Sequence, residues 1–393
     1  MLRFLTAGES HGVALTAIIE GFPAGVPVDK QAIDEHLKRR QMSFGRGERM
    51  VIERDEVELL AGIRNGLTLG SPIALLIRNR DWENWRDVMA AEAQEIDPVR
   101  AAEKRVTRPR PGHADLAGVL KYRQADIRNI LERASARETA ARVAVGAVAQ
   151  LLLKQLDCMV FSHVVQIGSV FCGDREIGPE SYSIVAEAAR NSPVSCADKE
   201  KSDEMIQEIE RAKESGDTLG GVFEIVCLGL PPGLGSHVHW DRRLDARLAA
   251  ALMSIPSVKG VEIGVGFRGA FLRGSEYHDQ IFYEEGRGFY RATNRAGGLE
   301  GGMTNGEPLV IRVAVKPIPT LRKPLPSVDF LTKQVSTAAV ERSDVCVVPA
   351  AAVVGEAMAA WVVAGAVLEK FGNDTLEEIR SRWLEYWEYL SRA

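Results

Sequence analysis

The chain has 393 residues, of which 46% are hydrophobic and 26% are charged, and its formal net charge is −5. These values are typical of a globular protein and exclude a largely disordered chain. A general nucleic-acid-binding protein would be basic, so we expect no nucleic-acid partner, and any anionic ligand must be bound by local basic clusters.

The N-terminal half predicts a mixture of helices and strands. Asp29 is predicted to cap a helix that ends at Arg40, because apolar residues recur at helical spacing between them. Strands are predicted over residues 51–80, with Asn65-Gly66 as a two-residue hairpin turn. Residues 132–156 are rich in Ala and Val and predict one long helix.

The C-terminal half continues this alternation. It predicts a helix over residues 203–215 that ends at Gly216, a strand over 221–230, a helix over 241–253 and a strand over 258–266. The almost wholly apolar residues 345–368 are long enough to span a bilayer, but they contain Pro349 and Glu356 and mostly small side chains. They therefore predict a helix buried in a large core or a subunit interface, and no membrane partner.

The two halves resemble each other weakly. Residues 59–77 and 299–315 each contain a glycine, then a Gly-x-Pro turn, then an apolar strand, and each is followed later by a basic segment and an Ala- and Val-rich helix. Two related halves packed on shared central helices would explain this echo, and chance similarity is the alternative. No linker-like stretch separates the halves, so residues 1–393 are predicted to form one domain.

The cysteines and histidines give little sign of a metal site. The five cysteines contain no C-x-x-C pair, which excludes a thiolate zinc site and a disulfide framework and fits a reduced, cytoplasmic protein. The first twelve residues lack the apolar run of a signal peptide. His237 and His239 with Asp241 have the spacing of metal ligands, but without a further ligand cluster we expect no metal.

Five segments combine glycine or proline with groups that bind anions or transfer protons. Residues 8–12 place Ser10 and His11 between glycines that let a ligand approach the backbone, and the alternative is a turn with a surface histidine. Residues 108–115 form a proline-stiffened loop that offers guanidinium groups and His113, and the alternative is an ordinary rigid loop.

The other three segments also have plain alternatives. Residues 132–139 open the Ala-rich helix, where backbone N–H groups favour anions, or Ser135 and Glu138 form a capping box. Residues 39–49 carry four arginines that fit either a polyanion clamp or solvated charge. Residues 294–306 lack the dinucleotide-binding fingerprint, and their glycines would let the backbone lie flat against a planar ligand.

Taken in chain order, these segments resemble the chorismate synthase family. The resemblance rests on residues 4–12, 110–115, 133–139, 258–264, 294–306, 316–320 and 342–345, which span almost the whole chain. Seven motifs in the family's order are far more specific than any one of them. The resemblance implies an α/β (α+β) sandwich with central helices between antiparallel sheets, assembled as a homotetramer.

The resemblance also implies a reaction. Members of this family make chorismate from 5-enolpyruvylshikimate 3-phosphate by eliminating phosphate and a ring proton from opposite faces. The elimination requires reduced FMN but causes no net redox change, and NADPH is the potential reductant of that flavin. An electron-rich flavin over the ring would feed charge into the breaking C–O bond and recover it as the C–H bond breaks.

Matching each motif implies a role for each residue. His11 would protonate the leaving phosphate, His113 would set the protonation state of the reduced flavin, and Asp344 would help to remove the ring proton. The implied substrate contacts are Ser10, Arg49, Arg110 and Arg137. The implied FMN contacts are Arg133, Ala134, Ser135, Pro256, Ser257, Gly301, Lys316, Pro317, Ile318, Pro319, Thr320 and Arg342, while Arg40 and Arg46 match NADPH positions and equally fit substrate.

Two functions from other classes fit the same residues. A non-catalytic phosphometabolite-binding protein would use the arginines without turnover, so phosphate release separates it from the enzyme. A flavin reductase would consume NADPH. The missing dinucleotide fingerprint favours a flavin that is reduced elsewhere.

Overall fold

The computed structural model describes residues 2–46, 54–93, 95–173, 181–341 and 344–393. Within these ranges, strands and helices alternate along the chain. The strands are β1 (Arg3–Ala7), β2 (Ala14–Glu20), β3 (Val57–Ala61), β4 (Ile63–Arg64), β5 (Leu67–Thr68), β6 (Ile73–Arg78), β7 (Met159–Ile167), β8 (Val170–Phe171), β9 (Gly221–Leu228), β10 (Val258–Ile263), β11 (Ile281–Glu284), β12 (Gly288–Arg291), β13 (Leu299–Glu300), β14 (Met303–Thr304), β15 (Leu309–Val315), β16 (Pro326–Val328) and β17 (Val335–Thr337). The α-helices are α1 (Lys30–Gln41), α2 (Pro98–Lys104), α3 (Asp115–Tyr122), α4 (Arg128–Ala134), α5 (Thr139–Lys154), α6 (Tyr182–Asn191), α7 (Lys199–Ser215), α8 (Leu244–Met253), α9 (Gly274–Tyr277), α10 (Val348–Phe371) and α11 (Leu376–Arg392).

Two antiparallel sheets enclose a layer of helices. In the described part of the chain, the first sheet has the strand order β1-β2-β6-β3 and the second has the order β10-β15-β9-β7-β8. Helix α5 packs on β2 and β6 of the first sheet, helix α10 packs on β7 and β9 of the second, and the two helices pack on each other. This arrangement confirms the predicted α+β sandwich with central helices.

The small side chains of the central helices allow this close packing. A Cβ atom added at Gly146 of α5 would lie only 2.4 Å from both the Cβ and the carbonyl oxygen of Ala357 in α10. A Cβ added at Gly355 would lie 2.5 Å from the ring of Phe223 in β9. Helix α10 is therefore in contact with a neighbouring helix on one side and a sheet on the other, and larger residues would push these layers apart.

Helix α10 is the apolar helix that the sequence predicts for residues 345–368. Its length and composition would suit a membrane span, but its most apolar stretch is entirely buried inside the protein. Pro349 lies in the first turn, where a missing backbone N–H costs no helical hydrogen bond. The interpretation of this segment as a core helix is confirmed.

The structure also supports two related halves. The strand order β1-β2-β6-β3 in the first sheet matches β7-β9-β15-β10 in the second. In the first half, Thr68 Oγ1 accepts a hydrogen bond from the backbone N of Val26 at 2.9 Å. In the second half, Thr304 Oγ1 accepts one from the backbone N of Leu234 at 2.8 Å. Each half then contributes one central helix, which favours a structural repeat over chance similarity.

The local predictions are confirmed where short-range chemistry decides the backbone. The side chain of Asp29 accepts a hydrogen bond from the backbone N of Gln31, so it caps α1 as predicted. Asn65 and Gly66 have φ angles of 50° and 73°, which suit the predicted tight hairpin turn. Gly216, with φ of 72°, ends α7.

The prediction of one long helix over residues 132–156 is wrong. Helix α4 ends at Ala134, Ser135 is extended with ψ of 143°, and a short 3₁₀ turn precedes the start of α5 at Thr139. The Ser135 hydroxyl accepts a hydrogen bond from the backbone N of Arg137, while the carboxylate of Glu138 binds Thr6 and Arg142. The break turns the residues around Ser135 towards the loop that follows β1.

One buried carboxylate ties α1 to α10. Glu356, 1% exposed, accepts two hydrogen bonds from the guanidinium of Arg39, at 2.9 and 2.8 Å. Gln150 of α5 and Ser162 of β7 also donate to it, at 3.1 and 3.0 Å. Burial alone would oppose ionisation, but the charge and hydrogen bonds of Arg39 outweigh it and lower the pKa of Glu356 to about 2.

Replacing Gly146 by alanine should destabilise the fold. Alanine normally favours a helix over glycine by about 1 kcal/mol. At Gly146 the added methyl group would collide with the backbone of Ala357, and such overpacking typically costs about 1–3 kcal/mol. We expect a lower thermal midpoint by differential scanning calorimetry.

The matched control is Gly365→Ala in α10, where the nearest atom to a new Cβ is Nη2 of Arg247, at 3.3 Å. That atom is the end of a flexible side chain and can move. The control variant should therefore keep or raise the thermal midpoint. A Gly146→Ala protein as stable as the control would show that the helices can separate without cost.

Replacing Glu356 by glutamine should make the fold less sensitive to acid. The folded pKa of about 2 lies below the ordinary value of 4.5, so the ionised carboxylate stabilises the fold above pH 4.5, by about 3 kcal/mol. This contribution is lost as the pH falls from 4.5 towards 2. Thermal midpoints should therefore fall more steeply with acid for the wild-type protein than for Glu356→Gln.

Glu58→Gln is the control, because Glu58 pairs with Arg78 at 2.6 Å on the protein surface, where such a pair contributes little. Its acid dependence should follow that of the wild-type protein. Parallel curves for wild type and Glu356→Gln would exclude Glu356 as the group whose protonation weakens the fold.

Candidate active site

The loop between β1 and β2 carries the first predicted histidine. Gly8 has φ of 110°, and a Cβ there would lie 2.3 Å from the carbonyl oxygen of Ala14, so the turn requires glycine. Arg133 donates hydrogen bonds to the carbonyl oxygens of Gly8 and Thr6, at 3.1 and 3.0 Å. These contacts fix the loop against the end of α4.

Glu132 holds His11 in one orientation. Its carboxylate lies 2.9 Å from Nδ1 of His11 and accepts a 2.8 Å hydrogen bond from the backbone N of the same residue. The imidazole ring also stacks on Trp85, with ring centroids 4.1 Å apart. Burial would raise the pKa of Glu132, but its hydrogen bonds with His11 and the nearby charge of Arg128 lower it overall. The Nε2 edge of His11 is the edge that Glu132 does not engage.

A second group of charges lies beside this loop. Asp55 is buried between Arg40 and Arg137, with its carboxylate 2.7 Å from Arg40 and also bonded to Arg137. Burial lowers the pKa of Arg40 to about 10. The positive charges of Arg137 and Arg46 add to this effect, and the negative charge of Asp55 opposes it. Two predicted ligand-binding arginines thus share one carboxylate.

Asn79 and Ser135 connect these arginines to the histidine loop. The amide of Asn79 donates to the carbonyl oxygens of Glu9 and Gly12, at 3.0 and 2.8 Å, and its oxygen accepts from Arg137 at 2.8 Å. Ser135 Oγ donates to Ser10 Oγ at 3.1 Å. The structure therefore brings together Ser10, His11, Arg40, Ser135 and Arg137, as predicted from separate motifs.

The second predicted histidine lies in a separate cluster. Nδ1 of His113 is 2.5 Å from Asp115, which is fully buried. The same carboxylate accepts from the backbone N and from Nε of Arg110, at 3.0 and 2.8 Å. Burial would raise the pKa of Asp115, but these donors lower it well below its ordinary value. Arg110 also donates to Thr320 at 3.0 Å, which joins this loop to residues 316–320.

Residues 316–320 form a basic edge of this cluster. Nζ of Lys316 donates to the carbonyl oxygen of Gly112 at 2.6 Å, and its backbone N donates to the carbonyl oxygen of Ser257 at 2.9 Å. Ser257 has φ of 70°, a left-handed conformation that directs this carbonyl to the loop. Burial and then the charge of Lys259 lower the pKa of Lys316, so two cations lie near each other here.

The predicted residue Asp344 pairs with Arg46. Nη1 of Arg46 is 3.0 Å from the Asp344 carboxylate, and the backbone N of Val345 donates to the carbonyl oxygen of Gly45 at 2.8 Å. Arg49 and Arg342 lie outside the described residues. The segment around Asp344 therefore contacts the chain just beyond the end of α1.

Ala339 and Glu341 connect the two histidine clusters. The backbone N of Ala339 donates to the carbonyl oxygen of Arg108, in the loop that carries His113, at 3.2 Å. Glu341 lies 3.4 Å from Arg128, which also donates to Glu132 at 3.0 Å. Two neighbouring residues thus contact both the His113 loop and the arginine that binds Glu132.

Three arginines and two carboxylates lie together in the site. Arg40 and Arg137 pair with Asp55, and Arg46 pairs with Asp344. Guanidinium groups gathered in this way suit an anionic ligand. Arg39 is one of the four arginines of the predicted polyanion clamp, but it is bound to Glu356 instead.

Two other predicted FMN contacts are Gly301 and Pro256. Gly301 lies in the turn of the β13–β14 hairpin, where a Cβ would meet no atom within 4 Å, and the adjacent Gly302 carbonyl accepts from Leu244 of α8. Pro256 lies between α8 and β10.

Away from the site, His239 binds Asp241 at 2.7 Å on the surface. Within the described residues, no group of three or more metal-binding side chains occurs.

The carboxylate and aromatic partners of the predicted residues were missed from the sequence. Glu132 and Asp115 stand inside the quoted segments, one residue from Arg133 and two residues from His113, and their charge was a usable signal. Asp55 and Trp85 lie outside every motif. Trp85 also has Arg128 4.8 Å from its ring centroid, so it packs between a predicted histidine and the arginine that supports it.

Known proteins resemble the chain over its full length. A family model described as chorismate synthase matches residues 2–368. Proteins named chorismate synthase from Moorella thermoacetica, Desulforamulus reducens and Aquifex aeolicus are 63%, 57% and 54% identical, with 97–99% of each protein and 98–99% of this chain aligned. A solved structure titled as a crystal structure of chorismate synthase has a TM-score of 0.81 and 45% identity, and the match covers 100% of this chain and 99% of that one.

Proposed function

This chain belongs to the chorismate synthase family, and we propose that it converts 5-enolpyruvylshikimate 3-phosphate to chorismate with the help of reduced FMN. The observation that carries the proposal is the pair of histidines, His11 and His113, each in contact with a buried carboxylate. An elimination of phosphate and a proton needs an acid, a base and an anion site, and the histidines, Asp344 and the arginines are the candidates for these roles.

His11 is the proposed acid for the leaving phosphate. The carboxylate of Glu132 binds its Nδ1 edge, which leaves the Nε2 edge to donate a proton to a phosphate oxygen. Stacking on Trp85 limits rotation of the ring. The guanidinium groups of Arg40, Arg46 and Arg137 would bind the phosphate beside it.

Asp344 is proposed to help to remove the ring proton. Its contact with Arg46 at 3.0 Å fixes the direction of the carboxylate. The arginines beside Asp55 and Asp344 would hold the substrate anions and so orient the ring for proton transfer. Ser10 adds a hydroxyl donor next to His11.

The His113 cluster is suited to FMN. The paired charges of Lys316 and Lys259 fit a phosphate dianion, because a bound dianion would relieve their mutual repulsion. Thr320 and the backbone around Ser257 would hold the flavin, Arg110 beside Thr320 would contact the substrate, and His113 would exchange a proton with the flavin. When bound, reduced FMN supplies electron density to the breaking C–O bond and recovers it as the C–H bond breaks.

The remaining parts of the proposal concern the cellular setting. We propose that the enzyme is cytoplasmic, forms a homotetramer and obtains reduced FMN with NADPH as the ultimate reductant. Arg40 and Arg46 match NADPH positions in the family, but their contacts with Asp55 and Asp344 favour a role in substrate binding.

Alanine at either histidine should slow chorismate formation by about 10²- to 10⁴-fold, as expected for single acid–base groups. Each variant should remain folded by circular dichroism, since Glu132 keeps its ion pair with Arg128 and Asp115 keeps its ion pair with Arg110. Stopped-flow absorbance of chorismate under anaerobic conditions measures the rate. His239→Ala, a surface histidine, is the control and should be fully active. Wild-type rates for both site variants would remove the acid–base assignment.

The elimination should proceed for many turnovers on each reduced flavin. Losing phosphate and a proton leaves the carbon skeleton at the same oxidation level, so the flavin need not be consumed. The test is to photoreduce FMN without air, omit NADPH, and count chorismate and phosphate per flavin. One turnover that leaves oxidised flavin would indicate a net redox enzyme, and tight substrate binding without phosphate release would indicate a binding protein. In a second assay with NADPH added, steady NADPH consumption without phosphate release would indicate a flavin reductase.

A further inference from the structure

Two cysteines outside the candidate active site touch each other. The Sγ atoms of Cys172 and Cys196 are 3.4 Å apart, although 24 positions separate the residues in sequence. Cys172 follows β8, and Cys196 lies in the segment between α6 and α7. A disulfide bond is about 2.05 Å long, so the present contact is one between two thiols and not a bond.

The backbone holds both cysteines against the same strand. The N of Cys172 donates to the carbonyl oxygen of Val165 at 2.9 Å, and the N of Val164 donates to the carbonyl oxygen of Ser195 at 2.8 Å. The N of Cys196 donates to Ser192 Oγ at 3.1 Å. Because β7 positions both segments, the sulfur contact is a property of the fold rather than of two independent loops.

A cavity beside the pair gives a small reagent access to the sulfurs. Its lining includes both cysteines, the apolar side chain of Val185, and the buried pair of His163 and Glu224. Cys172 is partly exposed, whereas Cys196 is only 2% exposed. Cys172 is therefore the sulfur that a molecule from solution meets first, and Cys196 lies directly behind it.

We propose that Cys172 and Cys196 are a modification site at which a small-molecule disulfide, such as oxidised glutathione, forms a reversible intramolecular disulfide. The Cys172 thiolate attacks the small disulfide, breaks its S–S bond and releases one thiol. Cys196 loses its proton and attacks the mixed disulfide, which releases the second thiol. Two protein thiols are oxidised and one small disulfide is reduced to two thiols, so electrons and protons balance.

The other cysteines lack these features. Cys158 and Cys346 are buried, and burial raises the pKa of each thiol to about 12. Burial also raises the pKa of Cys227. Thiolates are the reactive form, so these three thiols should stay reduced under conditions that oxidise the pair.

The test uses the full-length protein and oxidised glutathione in a degassed buffer. After the reaction, the protein is unfolded and its thiols are counted, and peptides are analysed by mass spectrometry. We expect the count to fall from five to three, with a cross-linked peptide that joins Cys172 to Cys196. The cross-link encloses 24 residue positions, so the thermal midpoint should rise by about 3 °C, and dithiothreitol should reverse this rise.

Serine variants separate the pair from the other cysteines. Cys172→Ser and Cys196→Ser should each abolish the loss of two thiols, whereas Cys158→Ser should still lose two. Each variant must match the reduced wild-type protein in its circular dichroism spectrum, which confirms folding. No oxidation, a stable glutathione adduct on Cys172 without a cross-link, or a cross-link between other cysteines would overturn the proposal.

Discussion

The backbone contact between α5 and α10 is the constraint on which the rest of the molecule depends. Gly146 lets Ala357 approach so closely that no side chain fits between the helices. Each helix carries one sheet on its outer side, so this single distance sets the separation of the two sheets. The loops that hold the candidate site residues extend from these same strands and helices, and their relative positions depend on that separation.

Sequence patterns predicted the fold best where the deciding chemistry is local. The cap at Asp29 and the turn at Asn65-Gly66 are determined by residues within three positions of each other. The break at Ser135 also has a local signal, because a capping serine marks a helix start, and the Ser135 hydroxyl accepts a hydrogen bond from the backbone N of Arg137. What the sequence does not show is the partner of this serine, since its hydroxyl also binds Ser10, 125 positions away.

The candidate site shows the same division. The basic residues and histidines stand in compact motifs, so a reader of the sequence can find them. Asp115 stands in the same motif as His113, but other counterions come from distant parts of the chain, because residues that pair in a folded site need not be close in sequence. Asp55 lies 82 positions from Arg137, and Glu132 lies 121 positions from His11. The family resemblance supplied the roles of the motif residues, but only the fold reveals which carboxylate orients each of them.

Two neighbouring arginines show how fold and site are joined. Arg39 and Arg40 are consecutive in α1, so their side chains leave the helix about 100° apart. Arg39 binds Glu356 of α10 and ties α1 to the core, whereas Arg40 binds Asp55 and joins the cationic group of the candidate site. A shift of α1 along α10 would move both contacts at once. The buried ion pair at Glu356 therefore also fixes the position of Arg40 in the candidate site.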